Sequence, residues 1–286
     1  MKRSVFRQRP TFPRIDRSHY LANGLVFAGL GGGASTLLYA DASGRGNGGA
    51  LTNMDNTDWV WAPELGRWAL DFDGVNDCIP VGTNLGNFGT GDFSIITWVK
   101  NKETGTAYRA IASKGQTSAD DWLWYYSNGT VRFYGDSGAI DCSAAANWLS
   151  NRANQWIFLA AIRNSGVLSI WAWDAALGLR IIASDATATA DIGGCNHGTV
   201  VGASEDGTDR FWNGELSDIL ICDRALSPAE IAQPADRSNA MLSGLILPPR
   251  RRIFPAAAAP PAGAIMNQMQ GANLGADLFD GTILAA

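Results

Sequence analysis

The feature that most limits the fold of this chain is a run of large apolar and β-branched side chains at residues 93–99, which follows Gly91 and Asp92. Runs of this length and composition form strands, and apolar residues on both alternating faces are typical of a strand covered on two sides. Just before it, residues 72–77 read FDGVND, and Gly, Asn and Asp favour a tight turn. The sequence therefore predicts short, buried strands joined by tight turns.

The composition agrees with an all-β sandwich. Of 286 residues, 33 are glycine, 11 are tryptophan and 46% are hydrophobic, which is enough for one large core with many turns. The clear helix signal is Ser227-Pro228-Ala229-Glu230, because it offers an N-cap serine, a proline at the first helical position and a capping-box glutamate. We expect this helix to end the globular domain.

Several segments in the same order resemble one known family. They are LDFDG at 70–74, GDFSIITW at 91–98, IASKG at 111–115, QWIFLA at 155–160, FWNGELSDI at 211–219 and RALSPAEI at 224–231. Together they resemble the laminin-G-like branch of the concanavalin A-like lectin/glucanase superfamily, over about residues 21–231. The resemblance implies an all-β fold, a concanavalin A-like jelly-roll β-sandwich with extended N- and C-terminal arms.

The two ends of the chain differ in composition from the middle. We expect a basic extended arm at 1–20, the sandwich at 21–235 and a docking strap rich in proline and alanine at 236–286. Residues 1–17 hold six basic residues against one acid, and Pro10 and Pro13 oppose regular structure. The candidate assembly residues of the two ends are Arg3, Arg7, Arg9, Arg250, Arg251 and Arg252.

Charge limits the partners of the chain. The net charge is −5 although the first arm is basic, so the rest of the chain is strongly acidic. A basic arm and an acidic body favour attraction between copies of the chain, as in a homo-oligomer, and make nucleic acid an unfavoured partner.

Further segments indicate a source and a location. LANGLV at 21–26 and LTNM at 51–54 are similar to laminin-G-like proteins that tailed bacteriophages encode. Residues 1–9 are charged without an apolar region typical of a secretory signal, and no run is long enough to span a bilayer. We therefore expect a virion protein that folds in the host cytoplasm without a signal peptide and has no membrane partner.

The four cysteines, Cys78, Cys142, Cys195 and Cys222, lack the paired spacing of a zinc site. In a chain that folds in the cytoplasm, free thiols that fill small apolar sites are favoured over two disulfides.

Catalysis has little support in the sequence. Glucanases of the resembled superfamily carry paired glutamates spaced Glu-x-Asp-x-x-Glu, and the five glutamates here are never within five residues of one another. The two histidines, His19 and His197, lie in no nucleophile motif. We expect a protein that is not an enzyme, and only carboxylates that converge from distant segments would make it a glycan hydrolase.

Calcium is the one cofactor that the resemblance implies, because laminin-G-like domains often hold it at the rim of the sandwich. The candidate ligands are Asp73, Asp77 and Asp218, since calcium prefers carboxylate and carbonyl oxygens. The alternative is that Asp73 and Asp77 cap the turn at 72–77 through bonds to nearby backbone.

Aromatic residues supply candidates for glycan binding, because aromatic rings stack on sugar faces. The candidates are Trp122, Trp124, Tyr125 and Tyr126. Trp122, Trp124 and Tyr126 alternate along one strand face, as Trp171 and Trp173 do elsewhere, and such alternation is also typical of core packing. Tyr125 and Trp122 are favoured because Asp120 and Asp121 indicate a rim loop. Asn128-Gly129 indicates a hairpin turn.

Two functions follow from these observations. The first is a non-enzymatic structural protein of a bacteriophage virion, either a capsid decoration or a tail or fibre component, anchored by its terminal arms to other virion proteins and to copies of itself. The alternative is a carbohydrate-binding adhesin, in which the sandwich recognises polysaccharide on the host surface.

Overall fold

The computed structural model describes residues 14–30, 37–116, 118–235 and 244–247. In chain order the strands are β1 (Arg14–Ile15), β2 (Leu25–Gly29), β3 (Leu38–Tyr39), β4 (Gly49–Ala50), β5 (Trp59–Ala62), β6 (Arg67–Asp73), β7 (Ile79–Val81), β8 (Phe93–Asn101), β9 (Tyr108–Lys114), β10 (Trp122–Ser127), β11 (Thr130–Gly135), β12 (Ile140–Ser143), β13 (Trp156–Asn164), β14 (Val167–Asp174), β15 (Gly178–Asp185), β16 (Thr199–Val201), β17 (Asn213–Cys222) and β18 (Ile246–Leu247). The α-helix α1 spans Pro228–Ala235, and short 3₁₀ turns lie at Tyr20–Ala22, Asp136–Gly138, Ser150–Arg152 and Glu205–Gly207. The all-β expectation is confirmed.

Two antiparallel sheets form a sandwich. The smaller sheet has six strands in the order β12-β11-β10-β9-β16-β7. The larger sheet has the order β15-β14-β13-β8-β17-β6-β5. Strand β17 changes its neighbour along its length: residues 213–216 pair with β6 and residues 219–222 pair with β2, with an irregularity at Asp218 between them.

The main core lies between the two sheets. Its largest fully buried side chains include Trp122, Trp124 and Phe133 from the smaller sheet and Phe72 and Phe93 from the larger one. Burial of apolar surface contributes about 25 cal/mol per Å², so rings of this size supply much of the stability of the sandwich.

The outer face of the larger sheet is also covered. Ile96 and Trp98 of β8 and Phe158 of β13 pack in a second cluster with Ile231 of α1, and the indole N–H of Trp98 donates to the Pro234 carbonyl at 3.0 Å. Strand β8 is therefore buried on both faces, as the run at 93–99 predicts.

Helix α1 begins as its sequence predicts. The Ser227 backbone N–H donates to Oε2 of Glu230 at 2.8 Å, and the Glu230 N–H approaches Oγ of Ser227 at 3.4 Å, which is a capping box. Arg224 adds an ion pair to Glu230 at 2.6 Å. Residues 244–247, which follow the helix in the chain, pack back against the domain.

Residues outside 21–235 pack against the sandwich. Ile15 and Leu245 are buried in the second cluster, and β1 pairs with β18 in register Arg14 to Leu247. A ladder across 230 residues cannot be read from local composition. The chain divides into two compact units, Met1–Pro249 and Arg250–Ala286, and the second lies outside the described residues.

Two predicted turns form as expected. Asn128 and Gly129 join β10 to β11 with φ values of 49° and 95°, and Ser127 pairs with Thr130 across the turn. Both central residues are left-handed, which is the geometry that favours Asn-Gly in a two-residue hairpin. At the other turn Gly74 has φ 77°.

All four cysteines are free thiols, as predicted. Cys78, Cys142 and Cys222 are buried and Cys195 is half-buried. Burial raises the pKa of the Cys142 and Cys222 thiols to about 12, so both are neutral at physiological pH.

Candidate functional site

Strand β10 divides the four aromatic candidates between its two faces. Trp122, Trp124 and Tyr126 point into the main core and have no exposed surface. The Trp122 indole N–H donates to the Gly86 carbonyl at 2.9 Å, and the Tyr126 hydroxyl donates to the Gly105 carbonyl at 2.7 Å. Fully buried side chains cannot contact a sugar, so the alternation of Trp122, Trp124 and Tyr126 reflects core packing. Of the four aromatic candidates for glycan binding, Tyr125 is the one that remains.

Tyr125 points to the outer face of the smaller sheet. There it forms a small cluster with Ala110, Leu123 and Tyr134 that is separate from the main core. Tyr108 of β9 stacks on Tyr125 with ring centroids 6.1 Å apart and an angle of 26° between the rings. Tyr108 is 47% exposed, so the stacked pair presents one ring to solvent.

Arg132 of β11 lies directly opposite Tyr125 in the strand register. Its guanidinium is 5.0 Å from the ring centroid of Tyr134. It also forms a two-pronged ion pair with Asp141 of β12, with Nε to Oδ1 at 2.6 Å. The hydrogen bonds that Arg132 donates to Asp141 raise the pKa of Arg132, so this arginine is charged at every physiological pH.

A second arginine reaches this surface from the loop between β16 and β17. The Arg210 guanidinium lies 5.7 Å from the ring centroid of Tyr108. The Arg210 carbonyl accepts a hydrogen bond from the Ala110 N–H at 2.7 Å, which fixes the loop to β9. We call the surface made by Tyr108, Tyr125, Tyr134, Arg132 and Arg210 the tyrosine face.

The tyrosine face combines groups that suit a polyhydroxylated ligand. Burial raises the pKa of the Tyr125 hydroxyl, while Arg132 and Arg210 act in the opposite direction, so the hydroxyl keeps its proton at neutral pH. Exposed tyrosine rings offer a flat apolar surface, and guanidinium groups and carboxylates beside them offer donors and acceptors. The face can therefore stack a ring and bond its substituents.

The two carboxylates beside the tyrosine face, Asp141 and Asp209, each have a basic or amide partner. Asp209 accepts from the Gln116 side-chain amide at 2.5 Å. Three of the five glutamates form ion pairs: Glu103 with Arg109, Glu215 with Lys100 and Glu230 with Arg224. Glycoside hydrolysis commonly needs one protonated and one ionised carboxyl group that flank the bond, and these paired groups serve structure.

The three calcium candidates do not meet in one place. Asp77 accepts from the Asp73 N–H at 2.9 Å, and Asp73 Oδ1 accepts from the Val75 N–H at 2.7 Å, so both cap the turn. Asp218 lies at the β17 irregularity and pairs with Arg67 at 2.8 Å.

The surroundings of the Asp73 turn also do not fit a calcium ion. Calcium takes about six to eight oxygen ligands, but Arg109 donates to the Gly74 carbonyl at 2.8 Å and to the Phe211 carbonyl at 3.2 Å. Within the described ranges, no group of three or more histidine, cysteine, aspartate or glutamate side chains is arranged to hold a metal ion.

The two histidines have local partners. The Leu21 N–H donates to Nδ1 of His19 at 3.2 Å, so His19 caps the first 3₁₀ turn. Nδ1 of His197 lies 2.8 Å from Oδ2 of Asp206 on an exposed loop, and this interaction lowers the pKa of Asp206.

The candidate assembly residues Arg3, Arg7, Arg9, Arg250, Arg251 and Arg252 lie outside the described residues. No helix in the described part of the chain has the length and apolar content needed to cross a membrane.

Sequence reasoning missed four residues of the tyrosine face: Tyr108, Tyr134, Arg132 and Arg210. A signal for two of them exists, because Arg132 and Tyr134 alternate with Val131 and Phe133 in a strand with one polar face. Arg210 has no such signal, since it comes to Tyr108 from a loop about a hundred residues later in the chain.

Comparison with solved structures identifies similar folds. Domain 4 of AbnA, an extracellular arabinanase from Geobacillus stearothermophilus in complex with arabinotriose, has a TM-score of 0.55 and 16% identity over 74% of this chain and 98% of that domain. The botulinum neurotoxin serotype D binding domain has a TM-score of 0.55 and 16% identity, and the botulinum neurotoxin DC binding domain in complex with SialylT has 0.51 and 16%. Each match covers 74% of this chain but only 51% of the toxin domain.

No curated protein shows significant sequence similarity to the chain. A family profile does: Laminin_G_3, described as the concanavalin A-like lectin/glucanases superfamily, matches residues 73–232, which is more than half of the chain. This region includes every strand of the smaller sheet and most of the larger one. Sequence profile and fold agree, and the chain belongs to the laminin-G-like concanavalin A-like lectin/glucanase superfamily.

Proposed function

We propose that this chain is a non-enzymatic carbohydrate-binding module and that the tyrosine face is its sugar site. The observation that carries the proposal is the stacked pair of Tyr108 and Tyr125, with one ring exposed and two arginines beside it. A half-exposed ring that is already held in place loses little conformational entropy when a sugar stacks on it.

Two solved structures with a similar fold are complexes with a bound ligand. One solved relative is a domain of an arabinanase in complex with arabinotriose, and another is a toxin binding domain in complex with SialylT. Similarity at 16% identity carries the fold and not the ligand, so the argument for sugar rests on the tyrosine face itself.

The proposal that the chain is not an enzyme rests on its carboxylates. A glycosidase needs a general acid with a raised pKa and a second carboxylate across the scissile bond. At the tyrosine face, Asp141 is neutralised by Arg132 and Asp209 is engaged by Gln116. Binding without turnover is the chemistry that this surface supports.

A glycan panel followed by calorimetry tests the proposal. Wild-type protein should bind one class of oligosaccharide, and Tyr108→Ala should weaken that binding by about fivefold, since a stacked ring contributes about 1 kcal/mol. Trp61→Ala is the matched control, because Trp61 is similarly exposed at 53% but lies on β5 of the other sheet. Equal binding by wild type and Tyr108→Ala would place the sugar elsewhere, and turnover of a bound glycan would overturn the non-enzymatic assignment.

We propose a second, structural function: the module is a component of a bacteriophage virion and its terminal segments anchor it. Support comes from the similarity of LANGLV and LTNM to phage-encoded proteins and from the β1–β18 ladder. Because Arg14 pairs with Leu247, residues 1–13 and 248–286 are attached to neighbouring points of the domain. Two segments that start together can engage one partner surface at the same time.

Purified particles test the virion proposal. Mass spectrometry should detect this chain in every particle, and copy number would separate a capsid decoration, at hundreds of copies, from a fibre, at about a dozen. Deletion of residues 1–13 and 248–286 should abolish incorporation and leave glycan binding unchanged. Full incorporation of the truncated protein would show that the arms are not the anchor, and absence from particles would exclude the virion role.

A further inference from the structure

Arg210 is the one member of the tyrosine face that is held in an unfavourable backbone conformation. Its φ is 53°, in the left-handed region that side chains other than glycine rarely adopt. The loop keeps it there through two hydrogen bonds, from the Ala110 N–H to the Arg210 carbonyl at 2.7 Å and from the Ser204 N–H to the Asp209 carbonyl at 2.8 Å. The result is a guanidinium fixed beside the exposed Tyr108 ring.

The charge of Arg210 is poorly satisfied within the chain. Its Nη1 is buried and has no hydrogen-bond partner, and the nearest carboxylate, Oδ2 of Asp209, lies 3.8 Å from Nε. That same Oδ2 already accepts from Gln116 at 2.5 Å. Arg132 on the same face differs, because Asp141 holds two of its nitrogens.

Both features cost free energy in the isolated domain. A buried N–H without an acceptor and a left-handed arginine are each destabilising, and strained backbone of this kind is concentrated at functional sites. Because Nη1 has no accessible surface, a ligand can meet only the rest of the guanidinium, which is held by one long ion pair with Asp209 and lies beside the exposed Tyr108 ring.

We infer that the tyrosine face recognises an acidic sugar, whose ring stacks on Tyr108 and whose carboxylate bonds to Arg210. This inference rests on the proposed carbohydrate-binding function and names its ligand class. A carboxylate is an acceptor that forms strong, charge-assisted hydrogen bonds with a guanidinium.

The charges around the face favour a single carboxylate over a polyanion. Arg132 is matched by Asp141, and Asp209 lies beside Arg210, so the face has no broad excess of positive charge. Densely sulfated or phosphorylated chains are attracted by such an excess, and it is absent here. Recognition therefore depends on the geometry of one arginine.

Paired probes test the inference. Calorimetry compares an oligogalacturonate with its methyl ester, and 3′-sialyllactose with lactose; each pair keeps the sugar rings and changes the carboxylate. Wild type should bind the acid of at least one pair about tenfold or more tightly than its neutral partner. Arg210→Gln should bind both members equally.

Arg180→Gln is the matched control. Arg180 is also partly exposed, has a buried Nη1 without a hydrogen-bond partner and has its Nη2 3.7 Å from a carboxylate oxygen of Asp174, but it belongs to β15 of the larger sheet. It should keep the preference of the wild type. If Arg210→Gln does not fold, the pH dependence of binding by wild type tests the inference instead. The preference of wild type for the acidic sugar over its neutral partner should disappear at a pH low enough to protonate the sugar carboxylate.

The outcomes separate this inference from the proposed function. Equal binding of acid and neutral partners by wild type would overturn the inference and leave carbohydrate binding in place. Tighter binding of a sulfated glycan than of either carboxylate probe would also overturn it. Binding of no probe and no glycan would overturn both.

Discussion

At the scale of single residues, the Asp77 carboxylate caps a turn from a buried position that disfavours its negative charge. Its carboxylate caps the Asp73 N–H, yet the side chain is nearly buried, and burial together with Asp73 and Asp58 raises its pKa to about 6. The pKa in the unfolded chain is near 3.8, so the folded state binds more protons between about pH 4 and pH 6. Stability from this residue is present in acid and is lost as the pH rises through that window.

Asp77→Asn should remove this pH dependence. The amide oxygen can accept the same N–H without a charge, so the variant should be more stable than wild type at pH 7, on the order of 1 kcal/mol, and equal to it near about pH 4. Thermal melts from about pH 4 to about pH 8 measure the difference.

Glu230 supplies a control of opposite sign. Arg224 lowers its pKa to about 2, so its contribution is lost as the pH falls from about 4.5 toward 2, and Glu230→Gln should be less stable than wild type at pH 7. If the Tm of wild type and the Tm of Asp77→Asn change with pH in the same way, Asp77 is not the source of the pH dependence.

The calcium prediction also depends on single residues. Because Arg109 takes the Gly74 and Phe211 carbonyls and Asp218 is paired with Arg67, we expect millimolar calcium to leave the Tm unchanged. Melts with calcium and with a chelator measure this. A rise in Tm with calcium that Asp73→Ala abolishes would show that this turn does bind the ion.

At the scale of elements, the β10–β11 hairpin sets the tyrosine face, because its turn decides that Tyr125 lies opposite Arg132. A shift by one residue would exchange the two faces of β10 and expose Trp122 and Trp124 instead. The Asn128-Gly129 turn is therefore a determinant of the site as well as of the fold.

Gly129→Ala should destabilise the domain by about 2 kcal/mol. Gly129 has φ 95°, and an added Cβ would lie 2.5 Å from Oδ1 of Asn147. Gly178→Ala is the control, because Gly178 has φ 69° with nothing within 4 Å, so only backbone strain of about 1 kcal/mol is added. Denaturant melts compare them, and equal losses would mean that the contact with Asn147 does not matter.

At the scale of the whole molecule, the sandwich is closed by residues that are distant in sequence. Leu245 is fully buried and β18 pairs with β1, so residues 244–247 belong to the domain although they follow α1. A helix that looks like the end of the domain is therefore followed by a returning segment.

Two truncations test the returning segment. A chain that ends at Ser243 loses the burial of Leu245 and the β1–β18 ladder, and it should be less stable by about 2 to 4 kcal/mol than a chain that ends at Leu247. Chemical denaturation of the two proteins measures the difference. Equal stability would show that this segment does not contribute to folding.

Local patterns in the sequence were sufficient for much of the fold. The two-sided strand at 93–99, the turns at Gly74 and Asn128-Gly129 and the start of α1 at Ser227 each depend on residues within a few positions of one another. Their physics is local: alternation of apolar side chains, tolerance of positive φ and capping of free N–H groups. The ordered family segments then indicated how the elements assemble.

Only the tertiary structure decided which side chains form the site. Trp122, Trp124 and Tyr126 share a face that pattern alone assigns to either core or ligand, and packing against the larger sheet placed them in the core. Arg210 meets Tyr108 across about a hundred residues, and Arg14 meets Leu247 across more than two hundred. Alternation along a strand assigns side chains to its two faces. Which face is buried depends on where the second sheet packs, and no local sequence pattern predicts that packing.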